Sequence, residues 1–157
     1  MKVSRRRGQL QVKLDPAEVS ILDSLLDQLT GILAGSDGDG ADALRARLSP
    51  AGYRDDPAAE ADFRELTAAA LRDERDERIA ACRAELARGG ALDLTDPDAA
   101  RRWIQVLNDL RLALGTRLEV TEDARPELDP DTPDAELWAV YHWLTAVQDS
   151  VVGELLP

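Results

Sequence analysis

The chain has 157 residues, 44% hydrophobic and 32% charged, with 31 acidic against 19 basic groups and a formal net charge of −12. That is one domain of ordinary size with enough apolar material for a core, which excludes a disordered chain and a small scaffold dependent on disulfides or metal. The acidic balance opposes phosphate backbones and anionic membranes, and a single cysteine, Cys82, excludes an intramolecular disulfide.

The N-terminus departs from that balance. Lys2, Arg5, Arg6 and Arg7 lie in the first seven positions, so the rest of the chain holds 15 basic against 31 acidic groups, a net of −16. Any anion-contacting surface is expected to involve this segment. Three arginines can neutralise a few phosphates, but the remaining charge works against them, and a solvated cluster flanking a strand is the preferred reading. The basic start runs into GQLQVKLDP rather than an apolar stretch, so a signal peptide is not expected. No apolar run approaches the roughly 18 residues of a membrane helix. Together with the lone cysteine, this leads to the expectation of a cytoplasmic protein. QLQVKL, residues 9–14, alternates polar and apolar side chains. Val3 to Arg5 could pair with it across Arg6-Arg7-Gly8, which allows a small β-hairpin packed on helices.

Four helix starts share one design, an acceptor side chain before proline: Asp15-Pro16, Asp56-Pro57, Asp96-Pro97 and Thr132-Pro133. The Asp or Thr can cap free backbone N–H groups, and proline at the first helical position loses no hydrogen bond. The first helix is expected over about 16–34, with Leu22, Leu25, Leu26, Leu29 and Leu33 on one face. GSDGDGAD then reads as a loop, followed by a short helix over 41–48. The next long helix starts at Pro57, with Phe63, Leu66 and Ala70 as its expected buried face. Its second half, RDERDERIAACRAELAR, is poor in apolar residues and is expected to project or lie exposed until Gly89-Gly90. From Pro97, Trp103, Val106, Leu107, Leu110 and Leu114 form a stripe widened by Ile104, Leu112 and Leu118, as in a central helix. A last helix from Pro133 carries Leu137, Tyr141, Leu144, Val151 and Leu155. The expected architecture is a mainly all-α, single-domain bundle of four longer helices plus a short one, with residues 1–14 as a basic segment or hairpin.

No chemistry stands out. His142, the one histidine, sits in an apolar helix and excludes HExxH-type zinc sites. The Asp37–Asp42 run fails as a calcium loop, because Leu48 stands where a bidentate Glu is needed. No nucleophile–base pair, metal cluster or phosphate-binding glycine motif is evident, so neither an enzyme nor a cofactor is expected. Cys82 is a candidate redox thiol, with a bland helix position as the stronger reading. Asn108, Asp109, Arg111 and Arg117 interrupt the apolar run of the central helix. A buried arginine needs a partner, and Asp55 and Asp56 are the candidates, which makes a structural polar network the preferred reading over a binding site. Gly115 is expected to let a neighbouring element approach closely.

Residues 45–67, RARLSPAGYRDDPAAEADFRELT, and 103–120, WIQVLNDLRLALGTRLEV, carry a resemblance when met in this order behind QVKLDPAEVSILDSLLDQL. The chain resembles, over residues 3–155, an actinobacterial family long described only as a domain of unknown function, whose better-described members are AosR-type oxidative-stress transcriptional regulators. The most specific matches are Arg47-Leu48 with Pro50, Tyr53, Asp55 and Asp56, then Leu107 to Arg111 with Gly115 to Leu118. The resemblance implies a helical protein without a cofactor, acting in redox-linked transcription through a protein partner such as a sigma factor or protease adaptor. Sensing by an internal disulfide would need two cysteines, so only an intermolecular disulfide or oxidation of the one thiol at Cys82 stays open. Direct DNA contact through Arg5, Arg6 and Arg7, a homodimer, and a purely structural or adaptor-associated role also stay open. No membrane partner is expected.

Overall fold

The computed structural model describes residues 1–34, 41–48, 57–121 and 134–155. Its elements in chain order are β1 (Lys2–Arg6), β2 (Gln9–Lys13), α1 (Pro16–Leu33), α2 (Ala41–Leu48), α3 (Pro57–Leu86), β3 (Ala91–Asp93), α4 (Pro97–Arg117) and α5 (Ala135–Leu155). The mainly helical architecture, with four long helices and a short one among the described residues, is as expected.

The hairpin forms with one register, Arg6 opposite Gln9 and Lys2 opposite Lys13. Its two turn residues, Arg7 and Gly8, have φ of 51° and 82°. Positive φ at both positions is what a two-residue turn needs to match the twist of the strands. A third strand, which the sequence reading lacks, completes an antiparallel sheet of order β1-β2-β3. Its cause lies in Gly89 and Gly90, with φ of 107° and 75°. They turn the chain out of α3 so that Leu14 N–H donates to Gly90 C=O and Leu94 N–H to Leu10 C=O, both at 2.8 Å. A Cβ on Gly90 would stand 2.6 Å from Val19 Cγ2 and 3.0 Å from Leu14 O, so the crossing needs glycine for space as well as for φ.

Two of the Asp-Pro starts are seen in full. Asp15 accepts from Glu18 N–H at 2.9 Å while Glu18 accepts from Asp15 N–H at 2.8 Å, a reciprocal capping box. Asp96 accepts from Asp98 N–H. Asp56 and Thr132-Pro133 lie outside the described residues, as does most of the Asp37–Asp42 run.

Among the described residues the core is a single cluster. Leu22, Leu26 and Leu29 of α1, Trp103, Val106, Leu107, Leu110 and Leu114 of α4, and Leu144, Val147 and Val151 of α5 meet the inner sheet face of Leu10, Val12 and Leu92. α4 is central, as its wide apolar stripe predicts, and contacts α1, α2, α3 and α5. The expectation for α3 is inverted. Phe63 is 38% exposed and Ala70 is exposed, the Leu66 side chain lies outside the described residues, and Ile79, Cys82 and Leu86 of the charged half are core residues, although Arg72, Asp73, Glu74, Asp76 and Glu77 of that half are exposed as expected. Three apolar side chains at i, i+3 and i+7 suffice to seat a helix, and the charges around them occupy its other sides. Of the described helices, none is long and apolar enough to cross a membrane.

Candidate functional site

Three places hold the singled-out residues. The first is the hairpin. Because strand residues alternate between faces, Lys2, Ser4 and Arg6 of β1 lie on the outer face with Gln11 and Lys13 of β2 and Asp93 of β3, around an open depression of about 360 Å³. Val3 packs against the core from the inner side, and Arg5 shares that side. The Arg5 Nη1 donates to the carbonyl of Glu154 near the C-terminus of α5, where a cation suits the helix dipole. Arg7 sits exposed in the turn. Arg5, Arg6 and Arg7 are therefore not one patch. Arg6 keeps company with Lys2 and Lys13, a grouping that two-residue periodicity and the register would have revealed.

The second place is Cys82. It is fully buried on α3, and burial together with the nearby Glu85 carboxylate pushes its thiol up to about 12, against the opposing charges of Arg102 and Arg78. Glu85 accepts from Arg102 Nη2 at 2.5 Å and from Trp103 Nε1 at 2.6 Å, so it locks α3 to α4. A protonated, enclosed thiol is a poor nucleophile.

The third is the polar set of α4, which splits between two sides of the helix. Arg111 Nε donates to Thr145 Oγ1 at 3.0 Å and Nη1 to Gln148 Oε1 at 2.7 Å, and the guanidinium lies 5.7 Å from the Tyr141 ring centre. Its observed partners are thus on α5. Asp55 and Asp56 lie outside the described residues. Asp109 is buried on the other side, its Oδ2 3.3 Å from Arg75 Nε of α3 without hydrogen-bond alignment. Arg75 Nη2 also donates to Leu48 C=O, tying in α2. Burial raises the Asp109 carboxyl above its ordinary value, against the pull of Arg75 and Arg78. Asn108 is half-buried and Arg117 is exposed in the last helical turn. Gly115 is not a point of close approach: an added Cβ would meet Tyr141 Cε2 at 3.5 Å, an ordinary contact. Among the described residues no group of His, Cys, Asp and Glu could hold a metal ion.

Residues 1–155 match the model of the Domain of unknown function (DUF2017), and the chain belongs to that family. It is 36% identical to the protein named oxidative stress regulator AosR of Mycobacterium tuberculosis (strain ATCC 25618 / H37Rv), over 91% of this chain and 72% of that protein. It is also 33% identical to the putative oxidative stress regulator AosR of Mycobacterium leprae (strain TN), over 95% and 75%. No solved structure matches.

Proposed function

We propose that this chain is a regulator in the response to oxidative stress that acts through contacts with protein partners, without chemistry of its own. The observation that carries the reading is the identity of 33–36% with proteins named for that role, over more than nine-tenths of the chain. A sigma factor or a protease adaptor fits the partner the resemblance implies. The sealed state of Cys82 favours a regulator that receives the oxidative signal from a partner rather than from its own thiol. Enzymatic turnover has no support from a nucleophile beside a base among the described residues. Transcript profiling of host cells with and without the gene, before and after peroxide, tests the reading. A peroxide response that differs between the two, and is restored by Cys82→Ala, is expected. Indistinguishable transcripts would overturn the regulatory role, and failure of Cys82→Ala to restore the response would overturn the thiol-independent part.

A further inference from the structure

Lys2 and Lys13 are direct cross-strand partners, and the next residue in that row, on β3, is Ala91. Like charges in register destabilise a sheet, so the arrangement has a cost that folding does not require. The row above reads Ser4, Gln11 and Asp93, and Arg6 follows opposite Gln9. Among the described residues no ion pair joins Lys2, Arg6 or Lys13 to a carboxylate. Asp93 is the acid among the residues lining the depression, and it is engaged by Thr95, whose N–H donates to its Oδ1 at 3.0 Å. Three cations outside any of these ion pairs thus share one face with the single Asp93 carboxylate, a net positive patch on a chain with a net charge of −12.

We propose that this outer sheet face, Lys2, Arg6 and Lys13 with Ser4 and Gln11, docks an extended acidic segment of a partner protein. Strand geometry sets the fit. Alternate side chains of an extended segment fall about 7 Å apart on one side, so two or three Asp or Glu residues span the face. A nucleic-acid duplex is a poorer match. Its charge repeats about every 1.7 Å along the axis and continues past the cations onto an acidic surface, and the lining residues include no aromatic ring for stacking bases. The proposal names the partner chemistry for the regulator reading and rests on it only for biological meaning. Binding is read directly, so a failed transcript response and a failed docking experiment are distinguishable.

The test is fluorescence anisotropy with a labelled peptide of about twelve alternating Glu and Thr residues, titrated with the whole chain at low salt. Saturable binding is expected, weakened about tenfold or more by Lys2→Glu with Lys13→Glu and about as much by Lys2→Gln with Lys13→Gln and Arg6→Gln. The latter set guards against misfolding of the charge-reversed chain, with circular dichroism as the check. Arg88→Glu with Arg101→Glu makes the same charge change elsewhere and is expected to leave affinity within about twofold. No saturable binding, or equal losses in both charge-reversed variants, would overturn the proposal. Tighter binding of a duplex of about twenty base pairs, lost in the same lysine variants, would also overturn it and assign the face to nucleic acid.

Discussion

Glu85 does the most for its size. One carboxylate satisfies the indole N–H of the largest core side chain and a guanidinium 25% exposed, and both lie on α4 while Glu85 lies on α3. Glu85→Ala leaves both donors in part-buried positions without their acceptor. A loss of about 2–3 kcal/mol in urea unfolding is expected, because unmet donors cost more than the net value of the bonds. A loss below about 0.5 kcal/mol would mean that water replaces the carboxylate freely. Cys82, one helical turn earlier, gives a second expectation at this scale. With its thiol pushed up to about 12, on the order of one molecule in ten thousand is thiolate at pH 8 even before access is considered. Iodoacetamide should therefore label it only as fast as the fold opens, with rapid labelling in denaturant. Fast, stoichiometric labelling of the native chain would show that the site is open.

At the scale of elements, two glycines of different meaning separate cleanly. Gly90→Ala should destabilise by more than about 1 kcal/mol, since it meets both a left-handed φ and a clash with Val19 and the Leu14 carbonyl. Gly115→Ala, in a helix with room for the methyl, should be neutral or stabilise by up to about 1 kcal/mol. Thermal unfolding of the pair checks both signs, and equal shifts would refute the distinction. The helices were legible because caps and 3.6-residue stripes are local chemistry: Asp15 and Asp96 sit on the N-termini they announce, and the α4 stripe is buried as read. β3 was not legible, because three residues show no periodicity and the strand exists through pairing with β2. The α3 inversion has the same root. Average polarity describes what surrounds a helix, whereas Ile79, Cys82 and Leu86 decide where it sits. For the candidate sites, the residue types were legible and their partners were not. Arg111 meets α5, and Asp109 meets a guanidinium from the stretch taken as exposed.

For the whole molecule, the balance of charge sets the pH dependence. At neutral pH the fold concentrates a net charge of −12, and the isoelectric point is about 4.5, so mild acid relieves self-repulsion. Asp109 acts in the same direction. Its folded value is raised by burial, so its contribution is fully present below the unfolded value and is lost as pH rises through the folded one. Asp93 acts oppositely. Hydrogen bonds from Thr95 lower its value, so its contribution is present above the unfolded value and disappears only as pH falls through the folded one, in stronger acid. On mild acidification from neutral pH toward the isoelectric point the overall repulsion falls while Asp93 stays ionised, so urea midpoints should rise across that window, with Asp109 adding to the rise where its raised value falls within it. Asp109→Asn separates the local part. It cannot titrate, so on acidification the wild type should gain on the variant, with the remaining slope in the variant due to overall charge. A difference that stays constant across the window would mean that Arg75 and Arg78 keep Asp109 ionised against its burial. A wild-type midpoint that falls in step with pH would mean that paired carboxylates outweigh the repulsion.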